Sequence, residues 1–357
     1  MSAFAGAGPS SRALTEQEIA TPGDARYLKL AGGQVLTAAQ QAALRAELGV
    51  LKKNYIVNGG MMVSQENGSA AGTVASYYPV DQFFMSVAVT SAAYSIAQVA
   101  SKTPGGSLNR VRLTVTSADA AVGSTDAAFI IHRIEGLRVA DLNLGQATAK
   151  TVTLQFGVKA PAGTYCIGLR NGSANRAYVA EYVISAAEAN TDVVKSVTLG
   201  LDQAGVWASD NTLGLEIVFT LMAGSSYQQV AGSWQATGNF GTANQFNFMS
   251  TNGNVFELFD VGLYEGSVAP AFQLPDFADE LALCQRYYEK SDSAAYMAPS
   301  SGGYSGFQFK VTKRTTPTMT ITPNTGTVSG VQAGLWGCYA QFSIGPTSGF
   351  YIANARM

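Results

Sequence analysis

A period of two runs through most of this chain and constrains its fold more than any other feature. In NRVRLTVTS, Val111, Leu113 and Val115 alternate with Arg112, Thr114 and Thr116. In TVTLQFGVK, Val152, Leu154, Phe156 and Val158 alternate with Thr151, Thr153, Gln155 and Gly157, and in LGLEIVFTL, Leu213, Leu215, Ile217, Phe219 and Leu221 share one face. Successive side chains of a strand point to opposite faces, so these stretches read as half-buried antiparallel strands. QFFMSVAV, AAFIIHRIE, TYCIGLRN, RAYVAEYVIS and NVFELFDVGLY follow the same style, separated by Gly- and Asn-rich turns. Strands at this spacing predict a mostly β protein, an antiparallel jelly-roll β-sandwich over residues 51–270.

Composition agrees and narrows the function. Charged residues make up 13% of the chain against an apolar share of 47%, so polarity resides in Ser, Thr, Asn, Gln and Gly. Such outer faces suit sugars or the equivalent faces of sister subunits. A net charge of −2 offers no electrostatic reason to bind nucleic acid or an anionic membrane. No apolar run reaches the length of a membrane span, and the N-terminus lacks signal-peptide order, so neither membrane insertion nor Sec-type export is expected. Cys166, Cys284 and Cys338 are odd in number and far apart, which reads as buried free thiols in a reducing compartment.

Helical signals interrupt the alternation at both ends of the sandwich. Thr15–Glu18 fits a capping box, and LTAAQQAALRAELG has Thr37 as N-cap, Gln40 three residues on and Gly49 past its end. These short helices within residues 1–50 are expected to pack against copies of themselves or an anchoring partner. A connector helix is predicted over residues 271–291, with Asp276 as N-cap and a stripe of Phe277, Leu281, Cys284 and Tyr288. Strands then resume over residues 292–357 in GFQFKVT, PTMTITP and GLWGCYAQFSI, a small C-terminal β tip too short for a full core of its own.

The single histidine, His132, sits on a strand pattern and reads as structural rather than as a general base. A glycosidase needs two carboxylates flanking a bond. Asp119, Asp126, Glu135 and Asp141 are the nearest group in sequence, but Glu135 reads better as a strand-end turn. No enzyme is expected. Sugar binding needs aromatic faces for pyranose C–H groups and fixed polar partners for hydroxyls. The candidates are Trp207, Trp234, Tyr178, Tyr182, Trp336 and Tyr351. Trp207 and Trp234 also fit core or subunit packing, and Tyr178 and Tyr182 share their face with Ala180 and Ile184, company that suits a core face better than a platform. Tyr304, Trp336, Tyr339, Phe350 and Tyr351 crowd the tip beside Gly/Ser loops, which suits either receptor contact or a subunit seam.

NYIVNGGMMVSQENG (54–68), YYPVDQF (77–83), IHRIEG (131–136) and FELFDVGLYEGSVAPAFQLPDFADELALCQRYYEKS (256–291) together resemble a family of bacteriophage and prophage tail-fibre proteins. The most specific part is the ELALCQRYYEKS helix, reached through a Pro-containing crossover from a strand ending in an L-E-G-like turn. Here Leu263, Tyr264, Glu265 and Gly266 occupy that turn, with Tyr264 the departure from the family's usual spelling. Residues 20–49 are similar to N-terminal modules of phage fibre proteins.

The resemblance implies a carbohydrate-binding-module-like jelly roll in a homotrimeric virion appendage made in the host bacterial cytoplasm. Residues 1–50 would join other virion proteins, the sandwich or tip would meet a host-surface glycan, and the Phe277, Leu281, Cys284 and Tyr288 stripe would face a sister subunit. No cofactor is expected beyond calcium, which the jelly-roll likeness allows and for which Asp210–Asn211 is the candidate turn. The alternatives are a structural head-decoration fibre or tail adaptor that binds no sugar, and a fibre-borne glycosidase or deacetylase.

Overall fold

The computed structural model describes residues 52–88, 90–291, 296–297, 303–343 and 348–357. The helices expected before residue 50 lie outside these residues. The alternating segments form two antiparallel sheets packed face to face. The first runs in the order β1 (Tyr77–Val80), β2 (Phe83–Ala88), β5 (Ala127–Glu135), β10 (Leu213–Ala223), β7 (Gly163–Arg170), β8 (Ala177–Ile184) and β11 (Trp234–Gln235). The second runs β3 (Ala93–Ala100), β4 (Asn109–Ser117), β12 (Val255–Glu265), β6 (Thr151–Lys159) and β9 (Val193–Gly200). The chain passes from sheet to sheet several times, which makes the sandwich a jelly roll.

Its core is the set of inward positions read from the period: Val111, Leu113 and Val115 meet Val152, Leu154, Phe156 and Val158 in one sheet, and Ile130, Leu215, Ile217 and Phe219 in the other. A core of this kind supplies most of the stabilisation, at roughly 25 cal/mol per Å² of apolar surface removed from water.

One expectation fails in an informative way. β10 was expected to be half-buried, yet both of its faces are covered. The segment 224–247 folds back over the outer face of the first sheet, where Phe240 joins Phe84, Phe129, Ile131 and Val218 in a second apolar cluster. Tyr227 stacks on Phe240 at 5.0 Å, and Thr220 Oγ1 donates to the Phe240 carbonyl at 2.7 Å. Gly168 makes room, since a Cβ there would lie 2.6 Å from that of Phe240. On the same face Glu216 is buried between the Arg133 and Arg170 guanidinium groups.

The described residues contain the short helix α1 (Gly136–Val139) and the connector helix α2 (Phe277–Gln285). Asp276 caps α2 by accepting from the Ala278 amide at 2.8 Å. The helix ends at Gln285, earlier than predicted, because Tyr288–Lys290 pairs as β13 with β19 (Ser348–Asn354). This corrects the subunit-facing stripe. Cys284 is fully buried with Tyr287 against Val57 and Val63 of the same chain, Leu281 packs beside them, and Tyr288 is buried on a strand. The stretch around residue 60 already covers that face, leaving only Phe277 of the four exposed, at 54%. Arg286 binds Glu135 with two hydrogen bonds of 2.8 and 2.6 Å, and the Tyr287 hydroxyl donates to the same carboxylate at 2.9 Å.

The tip consists of two small sheets. β19 lies between β16 (Thr318–Pro323) and the successive strands β13 and β14 (Tyr296–Met297), while β18 (Gly337–Phe342) lies between β15 (Gly303–Gln308) and β17 (Val328–Ala333). Phe307, Cys338, Ala340, Phe342, Tyr351 and Ala353 fill the space between them.

At the tip's base Lys313 and Glu289 form a fully buried ion pair at 2.5 Å, and Lys313 also donates to the Gln285 carbonyl at 2.6 Å. Arg356 is clasped between the Tyr78 and Tyr288 rings, 3.7 and 3.9 Å from their centroids, and pairs with Glu66. The tip is thereby bonded to the sandwich by side chains of both. No helix among the described residues is long and apolar enough to cross a membrane.

Candidate functional site

Three of the six aromatic candidates meet at one edge of the sandwich. β11 pairs with the start of β8 in a register that sets Trp234 opposite Tyr178. Their ring centroids lie 5.5 Å apart, and Trp207 meets Trp234 edge-on at 5.4 Å. Aromatic pairs favour such tilted and edge-on arrangements. The inner sides of all three rings pack on the sandwich core, and each ring is partly exposed.

Polar groups hold this cluster in place. Trp234 Nε1 donates to the Gly200 carbonyl at 2.8 Å, and Trp207 Nε1 donates to the Ala204 carbonyl at 3.0 Å and to Asp202 at 3.3 Å. Asp202 is buried and receives both Nε and Nη2 of Arg176, at 2.7 and 2.6 Å. Those bonds hold the Arg176 guanidinium above its ordinary pKa. Gly145 has a φ of +79° and passes so close that a Cβ would lie 3.0 Å from the Trp207 ring.

The buried Asn171 organises the neighbouring turn. Its Oδ1 accepts from the Asn175 and Arg176 amides at 3.0 and 3.2 Å, while its Nδ2 donates to the Val206 carbonyl at 3.0 Å. A pocket of about 280 Å³ opens beside it, lined by Gly172, Ser173, Val206, Ala208, Thr212 and Leu213. With both indole N–H groups already bonded, what the two tryptophans offer to a ligand is ring face and edge.

The other candidates lie elsewhere. Tyr182 is a correction: it is 6% exposed, stacked on Tyr165 at 5.6 Å and edge-on to Phe156, because its position on β8 faces the second sheet. Tyr351 is another, 4% exposed, stacked on Phe307 at 4.5 Å, with its hydroxyl bonded to Glu289. Trp336 is 71% exposed in the turn between β17 and β18, remote in sequence and sheet from the three-ring cluster. Asn171, Arg176 and Asp202 were not singled out from the sequence. The only local signal was the turn NGSANR leading into Tyr178.

The residues considered for catalysis have other partners. His132 is fully buried against Phe83 at 4.5 Å and accepts from the Val57 amide at 3.4 Å. Burial pushes its pKa down to about 3, so the imidazole is neutral near pH 7. Thr90 and Ser91 bond Asp119, the Gly123 amide bonds Asp126, Arg286 and Tyr287 bond Glu135, and Lys53 and Tyr55 bond Asp141.

At the turn nominated for calcium, Asp210 Oδ1 accepts from both the amide and the hydroxyl of Thr212. The Arg314 guanidinium bonds the Asn211 carbonyl, so a cation already occupies that acceptor and the turn does not fit calcium. Among the described residues no cluster of three or more His, Cys, Asp or Glu could hold a metal.

No family model matches this chain, and no curated protein matches it. Among solved structures it is similar to the enzymatically active domain of bacteriophage CBA120 tailspike protein 4, at 13% identity and a TM-score of 0.33, over 60% of this chain and 21% of that one. It is also similar to the family 11 carbohydrate-binding module of the Clostridium thermocellum cellulase Lic26A-Cel5E, at 12% identity and a TM-score of 0.28, over 57% of this chain and 98% of the module. A third is TmCBM61 in complex with β-1,4-galactotriose, at 11% identity and a TM-score of 0.29, over 60% and 99% of the two chains. The chain thus spans about a fifth of the tailspike chain. Such low identities and TM-scores assign this chain no role.

Proposed function

We propose that this chain is a non-catalytic glycan-binding protein of a bacteriophage or prophage fibre, and that its sandwich engages a host-surface glycan at Tyr178, Trp207 and Trp234. The observation that carries this reading is the cluster itself: partly exposed rings, fixed by hydrogen bonds and flanked by a small pocket that Ser173 and Thr212 help to line. Rings held before the ligand arrives lose little entropy on binding, and their open faces suit the C–H side of a pyranose. Arg176, Asn175 and Ser173 lie near enough in the chain to supply hydroxyl partners. In this reading the chain is a homotrimer in the virion, with residues 1–50 joining it to other virion proteins.

The test is saturable binding of the full chain to cells of candidate hosts, with purified surface polysaccharide as competitor, repeated with Trp234→Ala. Burial of one face of a large ring against a sugar predicts a loss of about tenfold or more in affinity. A thermal melt distinguishes lost binding from lost folding. Undiminished binding by a folded Trp234→Ala variant would overturn the assignment of the site.

The inward packing of the same three rings favours a second reading, a structural head-decoration fibre or tail adaptor whose cluster only closes the sandwich edge. Absence of any binding to cells or glycans would select it.

A further inference from the structure

The tip carries an open sheet face that the sandwich cluster does not explain. In the three-stranded sheet β15–β18–β17, Phe307, Cys338, Ala340 and Phe342 point inward. The alternate positions point out, and Tyr304, Gly306, Gln308, Ser329, Gln332, Tyr339 and Gln341 are all exposed. The register arranges them in rows. Tyr304 lies opposite Gln341, which lies opposite Ser329, and the next row is Gly306, Tyr339 and Gln332. Tyr304 and Tyr339 meet edge-on at 5.9 Å and are 61% and 42% exposed.

The Tyr339 hydroxyl donates to Gln332 Oε1, which steadies the ring and leaves the amide nitrogen of Gln332 as a donor. Gly306 has no atom within 3.7 Å of where its Cβ would stand, so packing does not require a glycine there. Glycine instead keeps the floor low beside the Tyr339 ring. The trough here holds about 760 Å³, lined by Gly306, Gln308, Gln332, Gly337 and Tyr339 among others.

Charge narrows what this face can take. Between Arg314 and Arg356 the sequence contains no Asp, Glu, Lys, Arg or His, and none lies in β15. We propose that this face is a second saccharide-binding site, separate from the Trp207 cluster, and that it takes uncharged glycan. Tyrosine faces meet pyranose C–H groups, and the glutamine amides and Ser329 meet hydroxyls; no charged side chain lies in these three strands, and the nearest along β15, the exposed Lys310, stands two residues beyond Gln308. A second copy of the chain fits less well. Subunit interfaces of identical chains centre on apolar cores, and this face offers two rings, a glycine floor and a border of carboxamides, with Val331, Leu335 and Trp336 the large apolar side chains exposed on β17 and in the turn after it. Two sites on one chain would also raise avidity for a repeating polysaccharide without any new contact.

The inference does not depend on the sandwich site, and the experiment keeps the two apart. Full-length protein is titrated with unsubstituted glucan, galactan and mannan, and with an acidic polysaccharide, in low and high salt. The variants are Trp234→Ala, the double variant Tyr304→Ala/Tyr339→Ala, and all three changes together, each checked by thermal melt and by light scattering. The expected result is that the tip pair weakens binding to at least one neutral glycan by about tenfold or more. The remaining tip binding in Trp234→Ala should change less than about twofold with salt. The proposal is overturned if the folded tip variant binds every glycan like the parent. It is equally overturned if the tip changes alter only the oligomeric state, which would make this face a contact between copies. Loss on Trp234→Ala alone would retain the sandwich site and remove this one.

Discussion

The sandwich and the tip are both antiparallel β with aromatic cores, yet they differ in the rings they leave open. In the sandwich Phe156, Phe219 and Phe256 are fully buried, and Trp207 and Trp234 are half-sunk with their N–H groups bonded. In the tip Tyr304 and Trp336 stand largely in solvent, and Tyr339 is exposed beside Tyr304. Size accounts for much of the difference. The sandwich has two broad sheets and a returning segment with which to cover its rings, whereas the tip has two narrow sheets and one shared interior. The sandwich also contains buried ionic groups such as Glu216 and Glu257, while among the described residues of the tip the fully buried pair, Lys313 and Glu289, lies where it meets the sandwich. Where a ring is exposed in the sandwich, it is positioned by a network. Where one is exposed in the tip, the small core leaves it no cover.

The largest expected effect comes from breaking the joint between the two regions. Glu289→Ala strands the buried Lys313 ammonium and removes the acceptor of the Tyr351 hydroxyl, at a cost of about 3–5 kcal/mol. Limited proteolysis should then cut within the tip while the sandwich stays intact. A single cooperative melt at the parent temperature would show that the joint does not hold the tip.

Acid should separate the regions next. Burial depresses the folded pKa of His132 from 6.5 to about 3, so as pH falls below 6.5 the unfolded chain takes up a proton that the folded one refuses. Stability contributed above that pH is lost progressively down to about 3, at up to about 1.4 kcal/mol per pH unit. Asp81 acts in the opposite sense, since burial raises it from 3.8 to about 6 and protonation in that window favours the fold. The His132→Gln variant should therefore show a flatter acid limb in melts between pH 6.5 and 4, with the tip unaffected. An unchanged slope would place the acid sensitivity elsewhere.

A smaller effect is expected at the site. Asn171→Ala leaves the Val206 carbonyl and two turn amides without their partner, a cost of about 1–3 kcal/mol, and loosens the loop that carries Trp207. Thermal unfolding should register the first and glycan titration the second. The smallest belongs to Phe277, whose exposure predicts a change within about 0.5 kcal/mol for Phe277→Ser. If light scattering nevertheless shows a smaller assembly, the flank of α2 is a subunit contact after all.

Much of the fold was readable because it rests on local rules. Val111, Leu113 and Val115 face inward as their alternation requires, and Asp276 caps the connector helix as its position before Phe277 suggests. The end of that helix was not readable. Tyr288 continues the helical stripe by spacing, yet its backbone pairs with Asn354, a partner over sixty residues away. The site was legible in part. Tyr178, Trp207 and Trp234 were named for their chemistry, but Asn171, Arg176 and Asp202, which position them, are ordinary polar residues in turns. Tyr182 shares its face with Ala180 and Ile184, which already suits core, and that face does lead into the core.

What the sequence determined by itself is therefore the set of strands and the side of each that turns inward, since a strand's geometry alternates its side chains whatever surrounds it. Which outer faces stay open was decided only in the tertiary structure. Phe240 closes one face of β10 from a segment that follows it, and Asn171 ties one loop to another 35 residues on. Exposure belongs to the space left after distant segments have packed, and no local pattern of residues encodes that space.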